Sequence, residues 1–190
     1  MTGTPPSDSP CVLMWMDLEM TGLEVTSDVI VEIAVLATDC ELQPLDPGLE
    51  VVVHQSEEQL AQMGEFVRQM HERSGLLELI RSSTTSLEEA GGLVLEYLKG
   101  HVPTPATVPL CGSSIGVDRR FLARYLPDVE GHLHYRSIDV SSLKELARRW
   151  YPQAYRARPG KKEGHRALAD VTESIAELAH YREHIFRPPA

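Results

Sequence analysis

Cys11 to Asp17 (CVLMWMD) constrains the chain more than any other stretch: an apolar run that ends in an acid, with Glu19 two positions on. A run of this kind reads as a buried strand with a functional C-terminal end. Residues i and i+2 of a strand project to one face, so Asp17 and Glu19 would stand side by side. Two bare carboxylates there repel, and burying them needs a compensating charge, which a divalent cation supplies. Hard cations such as Mg²⁺ prefer oxygen ligands of this kind. Taken alone, the pair equally suits a solvated strand end, because Asp and Glu are mostly exposed.

The pattern downstream predicts a mixed α/β sheet of five strands. Val29 to Thr38 is rich in β-branched residues and Leu49 to His54 follows after a turn with Pro44 and Pro47. With the first run these make a three-strand antiparallel meander. A polar, helix-favouring stretch starts at Ser56 and breaks at Ser74-Gly75. Ser86 with Glu89 is a capping box opening a helix whose apolar positions are Leu87, Leu93, Val94, Tyr97 and Leu98. Val108 to Cys111 is the fourth strand. Phe121, Leu122, Tyr125 and Leu126 line a helix that Pro127 stops. Tyr135 to Asp139 is the fifth strand, and Ser141 or Ser142 caps a helix reaching Trp150. Tyr151 to Gly164 reads as a basic loop, and Val171, Ile175, Leu178 and Ile185 mark a final helix.

Nothing divides residues 11–187 into two domains, and 190 residues with 42% hydrophobic content can bury one substantial core. Residues 1–10 are polar, with no apolar leader, and read as a disordered tail. No apolar run is long enough for a membrane helix. The cysteines, Cys11, Cys40 and Cys111, are odd in number and form no CxxC, so reduced thiols and a cytoplasmic location are expected. The net charge of −10 argues against holding a long duplex, which takes many Lys and Arg contacts to phosphate. It leaves room for a short nucleic-acid substrate met by bound cations.

Three further residues complete a candidate site. Asp118 follows a Gly-Ser-Ser turn in the first turn of a helix, where an acid also suits the helix dipole. His165 and Asp170, five positions apart, would diverge by about 140° on one helix. They meet if Gly164 breaks the chain, leaving His165 on the incoming loop and Asp170 on the helix. Imidazole exchanges protons near neutrality and suits a general base. Among eight histidines and many acids, each also has a plain surface explanation.

Together these residues resemble a known family. Asp17-Leu18-Glu19-Met20-Thr21-Gly22-Leu23, Ser114-Ile115-Gly116 leading to Asp118-Arg119-Arg120-Phe121, and His165-Arg166-Ala167-Leu168 leading to Asp170 resemble the three motifs of the DEDDh exonucleases. More narrowly they are similar to oligoribonucleases, from about Val12 to Phe186. The resemblance implies a ribonuclease H-like fold and 3′→5′ hydrolysis of very short RNA, dinucleotides above all, to mononucleoside 5′-monophosphates. It implies two divalent ions, Mg²⁺ or Mn²⁺, with Asp17, Glu19 and Asp170 on one, Asp17 bridging to the second, Asp118 assisting, and His165 as base.

It also implies a closed substrate pocket. Leu23 would wedge against a base, Phe66 and His71 would be an aromatic stacker and its polar neighbour, and Ser114 would lie near the 5′ phosphate. Tyr135 and Arg136 would reach across from a second subunit of a homodimer. Phe66 stands where the family usually has Trp, Ser113 where it has Asn, and Val117 where it often has Gln. None is a proposed metal ligand, and stacking on Phe66 survives with less area. The basic stretch Arg156 to Arg166 is a solvated loop or a phosphate-steering flap. Trp150, Tyr151 and Tyr155 read as packing or dimer contacts. A DNA-directed exonuclease and a non-catalytic binding module are the alternatives; the second would be expected to have lost an acid or the histidine, and all five are present.

Overall fold

The computed structural model describes residues 11–160 and 164–186. The disordered tail expected over 1–10 lies outside them. The strands are β1 Val12–Met20, β2 Ile30–Asp39, β3 Leu49–Val52, β4 Pro109–Gly112 and β5 His134–Asp139. The helices are α1 Glu57–Leu60, α2 Glu65–Arg73, α3 Leu76–Ser82, α4 Leu87–His101, α5 Gly116–Tyr125, α6 Pro127–His132, α7 Val140–Trp150, α8 Pro152–Ala157 and α9 Ala167–His184. The five strands form one sheet in the order β3-β2-β1-β4-β5. β1, β2 and β3 are the antiparallel meander, and β4 and β5 continue it in parallel with β1. Among the described residues no helix is long and apolar enough to cross a membrane.

Alternation along β1 divides the core. Met14, Met16 and Leu18 pack with Val94 and Leu98 of α4 and Phe121 and Leu122 of α5. Trp15 points the other way, with Ala34, Leu36 and Cys111, against Ala147 of α7 and Val171, Ile175 and Tyr181 of α9. Asp17 and Glu19 follow Trp15 at two-residue steps, so strand geometry puts them on the α9 face. The segments α1 to α3 bury Leu60, Leu76, Leu77 and Ile80 against Val31 of β2.

β1 runs past the expected end at Asp17 because β2 pairs with it as far as Met20. β4 pairs only with Met14 and Trp15. Beyond Trp15 the β4 side of β1 is therefore open, at the C-terminal end of the parallel strands where α/β sheets hold their ligands. Gly112 permits the departure of β4: a Cβ there would lie 2.8 Å from the Met16 carbonyl oxygen.

The capping box at Ser86 forms, with the Glu89 amide donating to the Ser86 hydroxyl and the Ser86 amide to the Glu89 carboxylate. Its helix runs through Gly91-Gly92, and Gly91 admits Leu126, whose Cδ2 would sit 2.5 Å from a Cβ. Three expectations are corrected. The cap of α7 is Asp139, whose carboxylate accepts from the Ser141 amide, rather than Ser141 or Ser142. Tyr151–Gly164 is not all loop: Pro152 opens α8, as Pro127 opens α6. Proline ends one helix and suits the first turn of the next, where its missing N–H is no loss. Cys11 and Cys40, expected as reduced thiols, form a disulfide with Cα atoms 5.5 Å apart. Val12 pairs with Asp39, so Cys11 and Cys40 are the next cross-strand pair. Cys111 is free and buried.

Candidate active site

Three carboxylates converge where β1 faces α9: the ligand oxygens of Asp17, Glu19 and Asp170 lie within 4.8 Å of one another. β1 supplies the first two by alternation, and α9 carries Asp170 in its first turn. α9 itself is held by Val171, Ile175 and Tyr181, which bury against the sheet. Three crowded oxygen donors fit a hard divalent cation. Glu19 shows the strain of crowding: burial, then the charges of Asp170, Glu32 and Asp118, push its carboxyl up to about 8.

Asp118 belongs to this end of the sheet but is not one of the converging three. It is buried, and its Oδ1 accepts from the Leu18 amide at 2.9 Å. That amide, between Asp17 and Glu19, lies beyond the reach of β4, so Asp118 replaces a strand partner. Burial pushes its carboxyl up to about 6.

His165 precedes α9 on the incoming segment, exposed, with the left-handed φ of 41°. It lies close enough to His71, which abuts Glu19, to help lower that ring's basicity. His71, expected among substrate contacts, is fully buried. Its Nε2 donates to the Met20 carbonyl at 3.0 Å, and its unpartnered Nδ1 lies 4.0 Å from Glu19. Burial, first of all, lowers its basicity. Phe66, five positions earlier on α2, points outward. About 140° of helix separates the two, so they do not form one patch.

The remaining expected contacts are at the surface. Leu23 is 67% exposed, Phe66 80% and Tyr135 74%, unusual for apolar side chains of this size. Leu23 rides a stapled loop: Asp28 accepts from the Thr21 hydroxyl and the Glu24 amide, and Tyr125 donates to the carbonyls of Val25 and Asp28. Ser114 is exposed at the turn into α5, held with φ 62° by the hydrogen bond its backbone amide donates to the Asp139 carboxylate. At the edge strand β5, Pro109 of β4 pairs with His134 and Leu110 with Ser137, so Tyr135 and Arg136 are extruded as a bulge. Arg119 latches it, donating to the carbonyls of His134 at 2.6 Å and Tyr135 at 3.2 Å and to the Ser137 hydroxyl at 2.9 Å, with Glu130 on its Nε.

Glu32 of β2 and Glu50 of β3 were not singled out from the sequence, and Arg166, read there as part of a motif and of a solvated loop or phosphate-steering flap, is instead bonded to both. Glu32 is completely buried and bonded to Arg166 and to the Ala167 amide. The signal was legible: a lone acid inside VIVEIAVLAT occupies a position where unpaired acids are almost never found.

The Exonuclease family pattern matches residues 14–178. The chain is 52% identical over 176 residues to an oligoribonuclease of Rhodococcus jostii, spanning 93% of this chain and 88% of that one. It is 51% identical to oligoribonucleases of Nocardia farcinica, over 94% of this chain and 82% of that one, and of Streptomyces griseus, over 93% and 87%. Among solved structures it is similar to Exonuclease I of Methylocaldum szegediense (TM-score 0.68, 18% identity) and of E. coli bound to a dT13 oligonucleotide (TM-score 0.71, 14% identity). It matches 92% of its own length to 41% of each of those chains, a likeness of fold in a ribonuclease H-like sheet. Half of all positions shared over nearly the whole of both chains is decisive where the fold is also right: the chain belongs to the oligoribonuclease family of the DEDD exonucleases, and is a 3′→5′ exoribonuclease.

Proposed function

We propose that the enzyme degrades very short RNA, dinucleotides above all, to mononucleoside 5′-monophosphates, using two divalent ions, Mg²⁺ or Mn²⁺, and His165 as general base. The observation that carries the proposal is the convergence of Asp17, Glu19 and Asp170 against α9, with His165 at the entry to that helix. Asp17, Glu19 and Asp170 would hold one ion, and Asp17, assisted by Asp118, the second. When bound, such a pair stabilises charge on the attacking and leaving oxygens of an in-line displacement.

His165 takes the proton of the attacking water as its oxygen bonds to phosphorus. The bond to the 3′ oxygen of the preceding nucleotide breaks, that oxygen takes a proton from solvent water to become a 3′-hydroxyl, and the terminal residue leaves as a 5′-monophosphate. Buried Asp118 fixes the Leu18 amide, and with it the spacing of Asp17 and Glu19. His71 backs Glu19 from inside rather than offering a surface. Leu23 and Phe66 supply faces for the two bases, and Ser114 lies toward the 5′ phosphate. Tyr135 and Arg136, displayed on a latched bulge, would cap that phosphate in the partner subunit of a homodimer. Exposed Leu146, Trp150 and Phe186 support such a dimer. The net charge of −10 supports a short substrate. The cytoplasm, where RNA turnover leaves such fragments, is the proposed compartment, on the ground of the substrate and not of reduced thiols, since Cys11 and Cys40 are paired.

A 5′-labelled diribonucleotide, a longer RNA and a DNA oligomer, each incubated with Mn²⁺, Mg²⁺ or EDTA, test this. Metal-dependent preference for the dinucleotide is expected. Equal digestion of long RNA or DNA overturns the substrate assignment, and light scattering that finds only monomer in active protein overturns the cross-subunit cap.

A further inference from the structure

Across the α9 face of the meander lies a second row of acids. Glu32 is the direct cross-strand partner of Glu19, and Glu50 on β3 pairs with Ala34, two residues along from Glu32. Like charges placed opposite one another on a sheet are destabilising, and Glu32 is completely buried. Arg166 lies over the row. Its Nε donates to Glu32 at 2.9 Å and its Nη2 to Glu50 at 3.0 Å. The free oxygens of the same carboxylates accept the first amides of α9, Ala167 to Glu32 at 2.9 Å and Leu168 to Glu50 at 3.4 Å. Two strands thus grip one side chain and two backbone amides immediately after His165.

His165 needs such a grip. A non-glycine residue at φ 41° is strained and persists only when its surroundings over-determine it. Its own side chain is exposed and precedes the helix, so packing of α9 does not fix it. Asp170 differs: it lies within α9, which Val171 and Ile175 bury against the sheet. Taking the exoribonuclease reaction proposed above as given, we infer that Glu32 and Glu50 are positioning residues: through Arg166 and the first amides of α9 they hold His165 in the backbone conformation from which it acts as base.

The test is the charge-conserving pair Glu32→Gln with Arg166→Met, beside Glu50→Gln. Glutamine still accepts from the Ala167 amide, and exchanging a buried ion pair for neutral groups of similar size commonly leaves stability intact, so the pair variant folds. With diribonucleotide and Mn²⁺, its kcat is expected to fall about 10²-fold, the cost of misplacing a catalytic group by about 1 Å. Its KM stays within about twofold of wild type, the signature of an interaction absent from substrate binding. Placed in a His165→Ala background the same substitutions cost no further turnover. Wild-type kcat in the pair variant, a loss in KM instead, or an equal relative loss in the His165→Ala background overturns the anchor while the wild-type enzyme stays active. An inactive wild type overturns the reaction itself, and the anchor with it.

Discussion

Asp118 has two roles that a single substitution can separate. It accepts from the buried Leu18 amide, and it lies close enough to Glu19 to raise its pKa. Asp118→Asn keeps the acceptor and removes the charge. Its melting temperature should match wild type while dinucleotide hydrolysis falls by about 10²-fold, the upper loss seen for residues supporting metal ligands. Asp118→Ala should in addition lose about 1–3 kcal/mol in urea denaturation, the cost of an unpaired buried amide. An active asparagine variant sinks the assignment. Glu19 gives a pH dependence. Its folded-state pKa of about 8 lies above the ordinary 4.5. The native state therefore holds a proton that the unfolded chain gives up, and stability from it is complete below about pH 4.5 and lost as pH rises through about 8. In EDTA the melting temperature should fall over that window, and the gain on adding Mn²⁺ should be larger at pH 8 than at pH 6. A gain flat with pH in differential scanning fluorimetry would contradict the proposed ligand role.

At the scale of the element, β5 and α5 act together. The bulge extrudes Tyr135 and Arg136, and Arg119, next in sequence to Asp118, supplies donors for the carbonyls the bulge leaves unpaired. Arg119→Met should loosen β5 and raise KM for a 5′-phosphorylated dinucleotide about tenfold, equivalent to about 1.4 kcal/mol of lost binding, with kcat changed less. An unchanged KM in steady-state kinetics would detach the latch from the substrate. The strands were legible because β-branched runs bounded by turns have few other uses, and the helix at Ser86 because its capping box is local chemistry. α8 was not, since proline signals the end of one helix and the start of the next with the same residue. The bulge was invisible too: register belongs to a pair of strands, and Tyr135-Arg136 looks locally like any other stretch of strand.

For the molecule as a whole, the Cys11–Cys40 bond closes 29 residues that include β1, β2 and the Leu23 loop, at the end of the strands away from the carboxylates. Cys40→Ser should cost about 3.5 kcal/mol, the loop-closure entropy of a span this long, and leave turnover unchanged. Urea midpoints with and without reductant measure it; reduction should bring wild type to the level of the variant, and indifference to both would mean the bond adds nothing. The sequence by itself determined the acids, the histidine and their order. Each chemical type is written in one residue, and strand alternation puts Asp17 and Glu19 on one face without further help. It also determined that Asp118 and His165 had to come from elsewhere in the chain. Only the tertiary structure decided that Asp118 stands apart from the three that converge, that His71 turns inward while Phe66 turns out, and that Cys11 meets Cys40. It alone showed that a lone glutamate in an apolar strand meets the arginine that follows His165. Those outcomes depend on which strands pair, in what register, and on which face a distant helix lies. Such contacts are set by the packing of the whole core, and no window of sequence contains them.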